Sequence, residues 1–366
     1  MSLKAFSLKA CRYIKSYTYL GNRIIGFYSN FGHGDLGDDA SLSAARELFK
    51  EHIVPFSKRC YVFNPRMLKS LLIGSGAVLH WQSPYIPRRL LMKDKWNFPV
   101  VLFSAGLNMD YKREFSRDAE RKIKRLCSIC DYLTVKDRIT QDFIKKMGFN
   151  DVDILPDLEL VLKDKPADRN LDKKRLTVGI VLTPHSEFSI KDFEKIVDVF
   201  SGFTNYLVDK GMDVLYIPFE RSGSDSSKEE EITASILSRV KQKEHVKVLN
   251  GDLEPEEVLF VIKKYCDTMV CTRLHSVVFS VNAMVPFLCI SYNVMHDGFI
   301  EMLDARDLNM SMFGDFSIEG LIEKFNYVMA NHDSIKERLR ERLSILRDMI
   351  YNRIGHIKEI MYRSER

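Results

Sequence analysis

The chain has 366 residues, of which 45% are hydrophobic and 29% charged, a globular composition that excludes disordered and fibrous classes. Its 55 Lys and Arg against 50 Asp and Glu leave a formal charge of +5. That excess is small and evenly interspersed with acids, so no nucleic-acid partner is expected. The length exceeds the roughly 250–300 residues at which one hydrophobic core stops growing, so two domains are expected.

In chain order, short apolar and β-branched runs alternate with longer stretches of helical period, the pattern of parallel α/β sheets. The first set of expected strands is 23–29, 70–76, 99–106, 131–135 and 152–155. Cys127 and Cys130 form a C-x-x-C inside the helix-like stretch ERKIKRLCSICDYL, without a second pair at zinc-site spacing, and read as packed helix cysteines. An odd total of seven cysteines and no apolar leader argue for reduced thiols and a cytoplasmic protein. No run of about 18 uncharged apolar residues is present to span a bilayer.

The charged, Pro-containing stretch 163–175 reads as a linker. It divides an N-terminal lobe (1–165) from a second lobe (166–330) with strands at 176–182, 213–219, 246–249, 267–272 and 286–292 and helices at 192–210 and 255–266. Beyond it, residues 331–366 form a basic tail with Ile335, Leu339, Leu343, Leu346, Met349, Ile350, Ile354 and Ile357 at spacings of three and four. This is a long amphipathic helix, suited to packing across the lobes or to docking on an anionic membrane surface.

After the first strand comes NFGHGDLGDDA, in which Gly32, Gly34 and Gly37 satisfy G-x-G-x-x-G before a helix expected to begin near Asp38. A dinucleotide fingerprint needs an acid about 20 residues further on to hold the ribose, and residues 56–65 contain none. Asp35, Asp38 and Asp39 would also compete with a pyrophosphate for the helix amides. Asp38 therefore reads either as a helix cap or as a base that accepts a hydroxyl proton.

In the second lobe a strand ends at Thr272 and a short helix opens around His275. Ligands of parallel α/β sheets bind at such carboxyl ends. Arg273 offers a planar fork for carboxylate or phosphate, the helix start adds amides, and His275 can transfer a proton near neutral pH.

These motifs, taken in order, resemble the polysaccharide pyruvyl transferase family. Arg273-Leu274-His275 matches its R-L-H, NFGHGDLGDDA its G-x-L-G-D-E segment, LIGSGAVL its G-G-G turn, and VKDRITQDFIKKMG its V-R-D-x-x-S stretch. DILPDLEL places Asp157 at the family's P-D, and YIPF (216–219) resembles its L-P-F. The resemblance implies a GT-B-like fold: two Rossmann-like lobes facing a central cleft, acceptor on the first, donor on the second. It implies transfer of a pyruvyl group from phosphoenolpyruvate, as co-substrate, to a sugar hydroxyl pair during cell-surface or exopolysaccharide synthesis, with no other cofactor and no metal. A glycan acceptor, lipid-linked or not, follows.

On that resemblance Arg273, Leu274 and His275 hold the donor, with His275 also a proton carrier. Ser75, Gly76 and Gly34 line the cleft, and Asp38 activates the acceptor hydroxyl. The chain departs from the family in two places: Thr183-Pro184-His185 stands where an Arg is usual, and Asn293-Val294-Met295 where Asp-Pro-Lys is usual. His185 and Arg221, both at strand ends, are the candidates to restore the missing charge. The rival functions are a GT-B glycosyltransferase with a nucleotide-sugar donor and a non-catalytic glycan-binding assembly protein.

Overall fold

The computed structural model describes residues 24–31, 34–50, 53–57, 68–82, 91, 98–109, 111, 114–168, 171, 173–183, 190–220, 227–249, 253–314 and 316–362. Two six-stranded, all-parallel sheets organise them. The first contains β1 (Ile24–Tyr28), β2 (Ile53–Phe56), β3 (Leu68–His80), β4 (Val100–Asn108), β5 (Tyr132–Val135) and β6 (Asp153–Ile154), in the order β2-β1-β3-β4-β5-β6. The second contains β7 (Thr177–Val181), β8 (Asp213–Tyr216), β9 (Val246–Val248), β10 (Thr268–Cys271), β11 (Phe287–Ser291) and β12 (Asn309–Ser311), in the order β12-β11-β10-β7-β8-β9.

Both faces of the central strands are covered by helices, which is why IIGFY, TVGIV and FLCIS are apolar without alternation and buried throughout. The expected strands are all present. Two more, β2 and β12, were not foreseen. Both lie at sheet edges: β2 carries Pro55, tolerated only where a ladder bond can be given up, and β12 is the polar triplet NMS.

The helices are α1 (Leu36–Phe49), α2 (Arg117–Ile129), α3 (Arg138–Lys146), α4 (Ile190–Asp209), α5 (Ser227–Arg239), α6 (Pro255–Tyr265), α7 (Leu274–Ala283), α8 (Val294–Met302), α9 (Ile318–Ala330) and α10 (His332–Tyr362). Cys127 is buried inside α2 and Cys130 caps its end. Residues 162–176 carry neither helix nor strand among those described.

One apolar core runs from β1 and α1 through the 3-10 turn Leu158–Val161 into the second sheet and on to α10. α10 buries Ile335, Leu339, Leu343, Leu346, Ile350, Ile354, Ile357 and Met361. It ties the halves together: Arg347 donates to the Leu160 carbonyl and to Asn282, Lys358 donates to the Leu48 carbonyl, and Arg353 pairs with Asp153. The apolar stripe of the tail is thus covered by protein, leaving its charged face outward. Among the described residues no helix is long and apolar enough to cross a membrane.

Strand order positions the site. In the first sheet the chain reverses its direction of growth between β1 and β3, in the second between β7 and β10. Crevices at the carboxyl ends of such strand pairs are where parallel sheets take ligands. The β1–α1 turn meets the second sheet there: Leu36 N–H donates to the carbonyl of Phe219, beyond the end of β8, at 2.9 Å, Asp35 and Glu220 form an isolated antiparallel bridge, and Asp35 pairs with Arg273 of the β10–α7 turn.

Candidate functional site

The β1–α1 turn ends on Gly34, at φ 88°, and Asp35, which caps α1. The helix therefore begins at Leu36, two residues before Asp38, and the capping role expected of Asp38 belongs to Asp35. One carboxylate oxygen of Asp35 accepts from the amides of Gly37 (2.7 Å) and Asp38 (3.3 Å). This leaves Asp38 in the first turn of α1, buried, 8% exposed.

Across the interface α7 begins directly after Arg273, whose side chain makes no capping bond to the first amides of the helix. Leu274, the first helical residue, is buried and anchors the turn in the core. Arg273 and His275 flank it and converge on Asp35. Arg273 Nη2 lies 2.5 Å from Asp35 Oδ2 and His275 Nδ1 lies 3.6 Å from Asp35 Oδ1. Arg273 Nη1 also pairs with Glu220 (3.1 Å) and faces Glu229 (3.9 Å). Burial opposes the charge of Arg273, but Asp35, Glu229 and Glu220 outweigh it and hold the guanidinium ionised. The guanidinium is thus already surrounded by carboxylates.

The other imidazole nitrogen of His275 lies 3.9 Å from Glu159, whose carboxylate is fully buried. Ser41 of α1 donates to one Glu159 oxygen, and the other has no hydrogen-bond partner. Beside it Lys136, from the end of β5, pairs with Asp157; both side chains are buried. Burial would lower the lysine, but Asp157 and Glu159 raise it. Asp157, Glu159 and His275 offer ligand atoms within 4.8 Å of one another, a spacing able to hold a metal ion. Lys136 already pairs with Asp157 and faces Glu159, and its buried positive charge beside both carboxylates makes a poor fit to a cation.

Glycine is required where the lobes touch. A Cβ on Gly37 would lie 1.9 Å from His275 Nδ1, so the first turn of α1 sits directly on the imidazole. Gly76, at φ 95°, lets β3 pass close to Asp38: a Cβ there would lie 3.1 Å from Asp38 Oδ1. Ser75 is buried, its carbonyl accepts from Ser29, and its hydroxyl has no partner.

Burial, and then the charges of Asp35 and Asp39, raise Asp38 well above the usual carboxylate range, while Lys136 opposes them. Asp35 is lowered instead: burial works against its charge, but Arg273 and His275 outweigh it.

The structure thus brings Arg273, Leu274, His275, Asp38, Ser75, Gly76 and Gly34 to the facing carboxyl ends of the two sheets. His185 and Arg221 lie outside the described residues, as does Gly32. Sequence reasoning missed Glu159, Lys136, Glu220 and Glu229 as members of the site. Asp35 was noticed only as a loop carboxylate.

The two-sheet architecture is that of known glycosyltransferases. A glycosyltransferase from Rickettsia africae aligns with 94% of this chain and 100% of its own at 10% identity and a TM-score of 0.55. A trehalose-phosphate synthase from Burkholderia vietnamiensis aligns with 94% of this chain and 99% of its own at 11% identity and a TM-score of 0.53. A UDP-N-acetylglucosamine 2-epimerase from Listeria monocytogenes, assigned only provisionally in its description, covers 87% and 91% at 7% identity and 0.56. At such identities the likeness shows the GT-B fold alone. No curated protein matches the sequence. The model of the polysaccharide pyruvyl transferase family matches residues 35–294, from the Asp35 cap through the R-L-H helix to the start of α8, and the chain belongs to that family.

Proposed function

We propose that the protein transfers a pyruvyl group from phosphoenolpyruvate to two hydroxyls of a glycan as a ketal. The observation that carries this reading is the convergence of Arg273 and His275 on one carboxylate, Asp35, beside the start of α7. A pair that holds a carboxylate in this way can hold a donor's carboxylate or phosphate.

The chemistry needs a proton on the enol methylene carbon of the donor, after which the neighbouring carbon becomes electrophilic. The first hydroxyl oxygen bonds to that carbon, the carbon–oxygen bond to phosphate breaks, and the second hydroxyl completes the ketal. Two hydroxyl protons are released; one replaces the proton given to the methyl group, and the other leaves with phosphate or solvent. Asp38, whose carboxyl is raised by burial and by Asp35 and Asp39, is suited to give the first proton and, once ionised, to take one back from the acceptor. Arg273 and His275 hold the anionic groups as charge moves onto the leaving phosphate.

Ser75 Oγ, buried and unpartnered, is a further donor for substrate oxygens. No other cofactor is required by this scheme. Cys271 and Cys289 stand opposite each other on β10 and β11 as free thiols, which supports a cytoplasmic setting. The outward face of α10, with exposed Lys336, Arg340, Ile345 and Tyr351, is the surface we assign to contact with an anionic membrane presenting a lipid-linked acceptor.

The test is incubation with phosphoenolpyruvate and a panel of lipid-linked and synthetic glycosides, followed by mass spectrometry and phosphate release. A pyruvyl mass increment with equimolar phosphate is expected, and Arg273→Ala and His275→Ala each lose at least about 100-fold in kcat/KM. Turnover of nucleotide sugars without pyruvyl transfer, or full activity in both variants, refutes the reading.

A further inference from the structure

We propose that Asp35 is an internal competitor for the donor's anionic group: in the unliganded protein its carboxylate sits in the grip of Arg273 and His275 that a donor carboxylate or phosphate takes over. The inference rests on the assignment of Arg273 and His275 to the donor anion.

The two oxygens of Asp35 have separate tasks. Oδ1 caps α1 through Gly37 and Asp38 and faces His275, whereas Oδ2 is the atom that Arg273 Nη2 holds. Capping requires only the first oxygen, and Asn caps a helix as well as Asp does. The second, charged oxygen is therefore surplus to the cap and directed at the arginine. In the G-x-L-G-D-E pattern this residue falls on the unspecified position.

Its surroundings make the competition consequential. Around Arg273 and His275 stand Asp35, Glu159, Glu220 and Glu229, and the buried Lys136 pairs with the neighbouring Asp157. A monoanion gains little by replacing one carboxylate with another. A donor carrying both phosphate and carboxylate brings enough charge to release Asp35 and occupy Arg273, His275 and the α7 amides together. Asp35 is thus a specificity-determining residue that disfavours singly charged metabolites.

The test is calorimetric titration of the full chain with phosphoenolpyruvate and, separately, with inorganic phosphate, comparing wild type, Asp35→Asn, Glu220→Gln and Arg273→Ala, each checked by thermal melting. Asp35→Asn keeps the cap and is expected to bind phosphoenolpyruvate about three- to tenfold more tightly, the scale of one charge-assisted hydrogen bond. Glu220→Gln, which faces Arg273 alone, changes affinity less than about twofold, and Arg273→Ala abolishes binding. Unchanged or weaker binding by Asp35→Asn overturns the proposal, as does equal tightening by Glu220→Gln, which would mark a general charge effect. If phosphoenolpyruvate binds to no protein while Asp35→Asn binds phosphate more tightly than wild type, the competitor stands and the donor assignment falls. Failure of Asp35→Asn to bind either probe overturns the competitor itself.

Discussion

The contact between Gly37 and His275 can be tested by one methyl group. An alanine Cβ at position 37 would lie 1.9 Å from His275 Nδ1, 2.1 Å from Cγ and 2.3 Å from Cε1. Ordinary carbon contacts begin near 3.5 Å, so ring and helix must part by about 1.5 Å. The imidazole has little room to yield, since its side chain is 16% exposed and both nitrogens face carboxylates. Overpacking of this kind costs about 1–3 kcal/mol, and the better helix propensity of Ala offsets up to about 1 kcal/mol. Gly37→Ala should therefore fold with only a modest loss of stability, while misplacing a reacting group by about 1 Å costs on the order of 100-fold in rate. The expected signature is a kcat/KM, read by phosphate release, down about 100-fold with a melting temperature nearly preserved. In a His275→Ala background the same substitution should be neutral or stabilising, giving a coupling of at least about 1 kcal/mol in urea unfolding. Wild-type activity in Gly37→Ala, or strict additivity in the cycle, would refute the argument that this glycine exists to seat the histidine.

Two further outcomes concern buried charge. Lys136→Met leaves Asp157 without its partner in a site where both side chains are almost fully buried, so urea unfolding should show a loss of about 3–5 kcal/mol. Lys136→Met combined with Asp157→Leu should recover most of it, and a single-variant loss under about 1 kcal/mol would contradict the pairing. Glu229 accepts from the amides of Phe219 and Glu220 but is pushed up by burial to about 7 from 4.5. Its folded value exceeds its unfolded one, so the stability linked to it is present below about pH 4.5 and is lost as pH rises toward 7. Glu229→Gln removes that slope. The variant should gain on wild type by about 2–3 kcal/mol between pH 4.5 and 8, whatever constant offset its weakened amide contacts introduce, and parallel pH–stability curves would show that Glu229 does not titrate there.

Much of this architecture was legible because buried parallel strands are apolar on both faces and must be short. β1, β7 and β11 announce themselves in this way, whereas β2 and β12 do not: an edge strand has one neighbour, tolerates Pro55 and polar residues, and so loses the pattern that marks its interior counterparts. The R-L-H turn was legible as well, since an Arg, a helix start and a His within three residues form a local signal. Its partners were not. Asp35 and Arg273 are 238 residues apart, and Glu159 comes beside His275 only because the turn after β6 packs on α7. Nothing local in LPDLEL distinguishes Glu159 from a solvated acid, and nothing in the spacing of Asp38 shows that burial and neighbouring acids raise it.

The departure at Asn293-Val294-Met295 takes on a different meaning once the packing is known. Asn293 caps α8, accepting from the amides of Met295 and His296, and also engages His296 Nδ1 at 2.8 Å. The other nitrogen of that fully buried histidine lies 3.3 Å from the Thr272 carbonyl, immediately before Arg273. On the opposite side Val294 N–H donates to the Met109 carbonyl at the end of β4. The segment that lacks the family's acid and lysine thus works as a brace, fixing the backbone that aims Arg273 and fastening it to the other lobe. Met295 closes the same contact: a side chain at Gly106 would meet its sulfur at 3.1 Å and the Lys136 stem at 3.2 Å. A buried lysine therefore stands next to the position where the family carries one on α8, but it projects from β5 and is committed to Asp157. Positive charge thus enters this cleft from both lobes, Arg273 and His275 from the second and Lys136 from the first, and each of the three faces buried or half-buried acids.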